Sequence, residues 1–105
     1  MTDETLFLYT TSYEKNKYGV SEPTQSKSER FCQKKPITQS EFYNAGRNGL
    51  NPSGCFVIFA GDYNGENLLE YNGEMYSIYR TYPVGDYVEL YVERKGGTNG
   101  QKSDD

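Results

Sequence analysis

The sequence predicts a mainly β fold: a small six-stranded β-barrel with one short helix between strands 2 and 3 and long polar loops. Several short segments alternate apolar and polar residues with period two, and glycine-containing turns separate them. A convincing helix start occurs once, at Thr38–Glu41. Closure into a barrel is favoured because it removes exposed strand edges. We expect one domain, residues 1–95, and a flexible C-terminal tail, residues 96–105.

The first two strands are predicted at Thr5–Tyr13 and Arg30–Lys35. In the first strand, Leu6 and Leu8 share one face, and Phe7 and Tyr9 share the other. Between the strands, Glu14–Glu29 is polar and has no periodicity, so we expect a mobile loop or a long hairpin connection. Pro36 ends the second strand.

The helix is predicted at Gln39–Ala45. Thr38 followed by Glu41 forms a capping box, in which the hydroxyl and the carboxylate each accept a hydrogen bond from a free backbone amide. Phe42 and Tyr43 give the helix something to bury. Glycines end it, and a turn-rich segment leads to the next strand.

The remaining strands are predicted at Cys55–Ala60, Leu68–Tyr71, Glu74–Tyr82 and Tyr87–Arg94. The first of these is apolar throughout, which indicates burial on both faces. Asn72-Gly73 predicts a two-residue hairpin turn. The last strand alternates, with Val88, Leu90 and Val92 facing inward and Tyr87, Glu89, Tyr91 and Glu93 outward.

Charge and composition disfavour several classes of function. The formal charge is −4, with the acidic excess in the second half, so tight binding to nucleic acid is not expected. There is no histidine, which removes the commonest general base near neutral pH. Phosphate-loop, EF-hand and nucleophile-elbow patterns do not occur. We therefore expect no enzymatic activity, no catalytic residue and no cofactor.

The sequence also gives little support for a metal site or a disulfide. Cys32 and Cys55 lack the spacing of a zinc site, and two free buried thiols are favoured over a disulfide, which stays possible. Gly61–Glu66 lacks calcium-ligand spacing and is interpreted as a hairpin turn. Glu89 and Glu93 lie roughly 13 Å apart on a strand, which favours a solvated face over a pair of catalytic carboxylates.

The chain begins with acidic residues rather than a secretory signal, and no apolar run approaches the length of a membrane span. We expect synthesis in the cytoplasm and no membrane contact. Eleven tyrosines stand out. Four of them, Tyr76, Tyr82, Tyr87 and Tyr91, either form an aromatic platform for bases or sugars or belong to barrel walls and subunit contacts, and the second interpretation is favoured.

Two segments carry a resemblance to a known family. One is Pro36–Ala45, with the pattern Pro-Ile-Thr-x-x-Glu-aromatic. The other is Leu69–Ile78, a short strand, an Asn-Gly turn and an aromatic-x-Ile strand. With the closing strand Tyr87–Glu93 and the order of elements, they resemble phage head-completion proteins, also called head-closure, head–tail joining or stopper proteins. The resemblance spans about residues 5–95.

The resemblance implies a structural subunit of the virion neck. Such subunits form a homo-oligomeric ring between the portal or adaptor ring and the tail-completion protein, close the DNA-filled capsid and offer a surface to the tail. Packaged DNA passes through without sequence-specific binding, and the free protein can be monomeric. The excursion Pro36–Gly54 then supplies the candidate assembly or channel residues, Glu41, Phe42, Tyr43 and Arg47.

Two alternatives stay open. The first is another virion protein, such as a tail-completion or minor tail protein. The second, less favoured, is an oligonucleotide- or oligosaccharide-binding barrel that uses the tyrosines.

Overall fold

The computed structural model describes residues 4–95; the expected tail, 96–105, lies outside the described residues. Six strands and one helix follow in the order β1 (Glu4–Lys15), β2 (Ser21–Lys35), α1 (Gln39–Arg47), β3 (Pro52–Phe59), β4 (Leu68–Tyr71), β5 (Glu74–Val84) and β6 (Tyr87–Arg94). The strands close into an antiparallel barrel in the order β1-β2-β3-β6-β5-β4. The prediction of a six-stranded barrel with a helix between strands 2 and 3 is confirmed.

The core fills the barrel interior. It is built from one face of each strand: Leu6, Leu8, Cys32, Phe56, Ile58, Leu69, Tyr71, Val88, Leu90 and Val92. The inward direction of Val88, Leu90 and Val92 is as the alternation of the last strand predicted. Phe56 lies near its centre, with ring centroids 4.9 Å from Tyr71 and 6.0 Å from Tyr76. The Asn72-Gly73 turn is also as predicted, since both residues have positive φ, 52° and 79°.

The segment from residue 14 to residue 29 is not a loop, and that prediction is wrong. β1 and β2 pair continuously from Glu4↔Cys32 to Lys15↔Ser21, so the connection shrinks to residues 16–20. Because β1 pairs with β4 only as far as Tyr9↔Leu68, the paired residues 10–15 and 21–26 continue past the barrel as a two-stranded ribbon. Its side chains are exposed, and the absence of buried positions explains why it shows no hydrophobic periodicity.

The prediction of a hairpin turn at Gly61–Glu66 is also wrong. A short 3-10 turn, Ala60–Asp62, follows β3, and the chain then crosses to β4. β3 pairs with β2 and β6, whereas β4 pairs with β1 and β5. The segment therefore joins two strands that are not neighbours.

The helix ends two residues later than predicted, and its end is well defined. The amide of Leu50 donates to the carbonyl of Ala45, and the amide of Gly49 donates to the carbonyl of Gly46, both at 3.0 Å. Gly49 has φ +80°. This is a Schellman motif, for which glycine is suited because it adopts positive φ without steric cost.

Candidate functional site

Glu41 ties the helix to the barrel rather than completing the predicted capping box. The Thr38 hydroxyl accepts from the Glu41 amide at 3.1 Å, as predicted. The Glu41 carboxylate, however, accepts from the Tyr79 hydroxyl at 2.8 Å and pairs with the Arg80 guanidinium at 2.5 Å. A charged partner on β5 offers a stronger interaction than a backbone amide, so the carboxylate turns to the barrel wall.

A β-bulge in β5 allows two consecutive residues to bind the same carboxylate. Ile78 pairs with Val92 and Arg80 pairs with Tyr91, so Tyr79 is the extra residue of the ladder. Successive side chains on a regular strand point to opposite faces. The bulge changes this, and both Tyr79 and Arg80 lie on the outer face, beside α1.

Polar contacts continue from Arg80 across the outer face. The Arg80 guanidinium carbon lies 4.1 Å from the centre of the Tyr91 ring. The Tyr91 hydroxyl donates to Glu89 at 2.7 Å, and Glu89 also forms an ion pair with Lys35. Glu89 and Tyr91 are both buried. The expectation that Glu89 belongs to a solvated face is wrong, because this part of the outer face is covered by these contacts.

The electrostatics of this network favour charged carboxylates. Burial raises the pKa of Glu41, but the hydrogen bonds from Arg80 and Tyr79 and the charge of Arg80 outweigh it, and the pKa falls below its ordinary value. Hydrogen bonds from Lys35 and Tyr91 lower the pKa of Glu89 despite its burial. Both ion pairs therefore persist at neutral pH, and the pair of Glu41 with Arg80 anchors the helix.

The four sequence-predicted site residues separate into two groups. Glu41 is directed at the barrel. Phe42 and Tyr43 are exposed, at 52% and 65% of their surface, so they do not pack on the barrel's core. Arg47 is also exposed and donates to the Asn44 side chain at 2.8 Å. The outward side of the helix thus presents two aromatic side chains and one cation.

A second exposed surface, which the sequence did not predict, lies above the network on the outer face. β2 and β3 pair only from Gln33↔Val57 to Lys35↔Cys55 and then part. A groove of about 570 Å³ opens there, hereafter the β2/β3 groove. Most of the residues that line it are apolar or aromatic, with three polar residues among them: Phe31, Cys32, Gln33, Val57, Ile58, Phe59, Asp62, Val84, Tyr87 and Glu89.

The aromatic residues of the groove are exposed, and two of them, Phe59 and Tyr87, contact each other. Phe31 is 73% exposed, and Phe59, Val84 and Tyr87 are each about half exposed. The rings of Phe59 and Tyr87 meet edge to face at 6.3 Å. Phe59 also lies on Gly61, where a Cβ atom would stand 2.6 Å from the ring. The sequence did carry a signal for this surface. Alternate residues of a strand share one face, so Val57 and Phe59 lie on the outward face together with Cys55.

The four tyrosines do not form a platform. Tyr76 packs against the core and Tyr91 is buried in the polar network, while Tyr82 and Tyr87 are exposed. The alternative interpretation that depended on a continuous row therefore loses its geometric basis.

The two cysteines are free and buried, and they lie on opposite faces of the barrel wall. Cys32 belongs to the core, whereas Cys55 pairs with Tyr91 and Lys35 on the outer face. Burial raises the pKa of each thiol to about 11.

Within residues 4–95 no group of three or more metal-ligating side chains of the His, Cys, Asp or Glu type comes together. In the same part of the chain, no helix has the length and apolar character needed to cross a membrane.

No protein-family model matches the chain. A search of curated proteins likewise finds no significant match.

Proposed function

We infer that the protein is a structural subunit of a phage head–tail connector, a neck ring that closes the DNA-filled capsid and provides the surface to which the tail attaches. Its partners would be the portal or adaptor ring, the tail-completion protein and further copies of itself. The proposal draws on the resemblance of Pro36–Ala45 and Leu69–Ile78 to head-completion proteins and on the geometry of α1.

The observation that carries the proposal is the way α1 is held. Its inner side is fixed to β5 through Glu41, with Tyr79 and Arg80 as partners. Its outer side keeps Phe42 and Tyr43 exposed. Large exposed aromatic side chains on a rigid element are typical of interfaces, because they contribute much contact area and lose little conformational entropy on binding.

Charge agrees with passage of DNA through a ring of such subunits. The formal charge is −4, and the pI of about 4.8 makes each subunit anionic at neutral pH. An acidic channel does not retain the phosphate backbone. The protein would then close and open the exit route without binding the genome tightly.

The test is inactivation of the gene in the phage or prophage that encodes it, followed by imaging and in vitro joining of heads and tails. Heads from the mutant are expected to be full but to lose DNA and to fail to join wild-type tails. Tails from the mutant are expected to join wild-type heads. A defect confined to the tails would indicate a tail-completion protein instead, and normal infectious particles would contradict the proposal.

The role of the helix surface is tested by complementation of the same mutant. Replacing both aromatic residues (Phe42→Ser and Tyr43→Ser) should abolish rescue while leaving the protein folded. Tyr82→Ser is the matched control, because Tyr82 is as exposed as Phe42 but lies on β5. If the double variant rescues as well as the control, the helix surface is not an assembly contact.

A further inference from the structure

The β2/β3 groove is an exposed surface, lined mostly by apolar and aromatic residues, on which none of residues 4–95 is placed. β2 has 15 residues, of which three pair with β3. Above that ladder, the groove-side edge of β2 and the end of β3 keep unpaired backbone groups beside the exposed rings of Phe31 and Phe59. The ten residues that line the groove include two acidic residues and neither Lys nor Arg. Of the two, Glu89 is buried and already paired with Lys35, so Asp62, which is not part of that pair, is the acidic group that faces the groove.

The tip of the β1–β2 ribbon, residues 15–20, has complementary properties. Lys15 and Lys17 are its only charged residues, and Tyr18 and Val20 are exposed at 77% and 56%. The tip is held in one shape by Asn16, whose side-chain oxygen accepts from the amides of Tyr18 and Val20 at 2.9 and 3.1 Å. It therefore presents a tyrosine, a valine and two cations in a defined geometry.

The tip cannot occupy the groove of its own chain. β2 forms one wall of the groove at Phe31 and runs from there to the tip as a continuously paired strand. The eleven residue steps from Val20 to Phe31 separate the two residues by roughly 36 Å at the rise of an extended strand. A ribbon paired along its whole length does not fold back on itself, but it extends about 20 Å past the barrel, far enough to contact a neighbouring molecule.

We propose that the ribbon tip of one copy docks in the β2/β3 groove of the next copy. Tyr18 and Val20 lie against the apolar residues of the lining, and Lys15 and Lys17 approach Asp62. Donor and acceptor are different surfaces of one chain, so the contact is heterologous and closes into a ring when the rotation between copies permits it. The inference rests on the proposed ring and names its lateral contact.

The test uses two variants of the full chain, each of which removes one side of the contact. The tip variant is Lys17→Glu with Tyr18→Ser, and the groove variant is Phe31→Lys. Both replace exposed side chains, and circular dichroism verifies that they fold. Arg94→Gln is the control, because it removes one exposed cation at the opposite end of the barrel.

Sedimentation velocity over a range of concentrations gives the readout. The wild type and the control should assemble, and each variant alone should be monomeric, with its self-association weakened by about tenfold or more. A 1:1 mixture should form dimers and nothing larger, because the intact tip of the groove variant can enter the intact groove of the tip variant.

Three results would overturn the proposal: a monomeric wild type at every concentration, variants that assemble as the wild type does, or a mixture that stays monomeric. If the groove instead binds a different protein, the wild type should be monomeric at every concentration. The connector function is tested separately on phage particles. If the mixture stays monomeric but inactivation of the gene still gives defective heads, the ribbon contact is rejected and the connector function is not.

Discussion

The carboxylate of Glu41 binds the guanidinium of Arg80, 39 positions later in the chain, at 2.5 Å. This contact joins the single helix of residues 4–95 to the barrel wall. Arg80 in turn lies on the ring of Tyr91. Because Tyr91 also binds the buried Glu89, the position of the helix is coupled to a polar network that spans three strands.

Glu41→Gln should destabilise the protein by about 1–3 kcal/mol, because it removes a charged acceptor from Arg80 and weakens the bond from Tyr79. Urea unfolding measures the change, and a double-mutant cycle with Arg80→Met isolates the coupling. Arg94→Gln, which breaks an exposed pair with Glu74, should cost at most about 0.5 kcal/mol. If the two substitutions lower the free energy of unfolding equally, the pair of Glu41 with Arg80 contributes no more than an exposed ion pair.

Stability should fall in acid. The pKa values of Glu41 and Glu89 in the folded protein lie below the ordinary value of 4.5, so the folded state holds these protons less tightly than the unfolded state. Their contribution is complete above that ordinary value and is lost as the pH falls through the lower folded-state pKa values.

Urea midpoints measured from about pH 6 down to about pH 3 test this dependence. Glu41→Gln should flatten part of the slope, since one of the two carboxylates is then absent. A slope in the variant as steep as in the wild type would contradict the assignment.

Both thiols should react slowly with a disulfide reagent. With a pKa of about 11, roughly one thiol in ten thousand is ionised at pH 7, and burial restricts access further. Cys55 lies on the outer face of β3, and β3 is a strand that α1 contacts, whereas Cys32 lies in the core.

Glu41→Gln should therefore speed the labelling of Cys55 and leave that of Cys32 unchanged, as resolved by peptide mass spectrometry. Local release of the helix, rather than global unfolding, is the expected route. Equal acceleration at both cysteines would indicate global unfolding instead.

Amide exchange should divide the β1–β2 pair into two regions. The ribbon residues 10–15 and 21–26 are paired but exposed, and a two-stranded ribbon alone is only marginally stable in water. We expect these amides to exchange much faster than those of residues 88–92, which are buried. In the proposed assembly the tip amides should become protected, whereas protection already present in the monomer would argue for a ribbon stable by itself.

Local patterns predicted the fold well where each element carried its own signal. The Asn72-Gly73 turn, the core-facing Leu6 and Leu8 and the Thr38 cap depend on interactions within a few residues, and the structure has all of them. The closure into a barrel followed from the number and spacing of such elements.

Features that depend on distant partners were not predictable. The ribbon has no buried face, so its strands carry no periodicity, and only the pairing with the other strand defines them. Glu89 was expected in solvent because its burial depends on Lys35, 54 positions away, and on Tyr91. The groove arises where β2 and β3 part, and no residue in either strand indicates where a ladder ends.

The extra residue at Tyr79 changes which side chains of β5 face outward. Before it, Tyr76 and Ile78 pack toward the core; after it, Arg80 binds the helix and Val84 lines the groove. Loss of Tyr79 itself would remove the bulge and leave a regular strand in which Ile78 still faces inward and Arg80 outward, whereas loss of a second residue would exchange the two faces along the rest of the strand. Descendants of this sequence should therefore tolerate the loss of this one residue but not of two, a constraint on its evolution that side-chain chemistry alone would not impose.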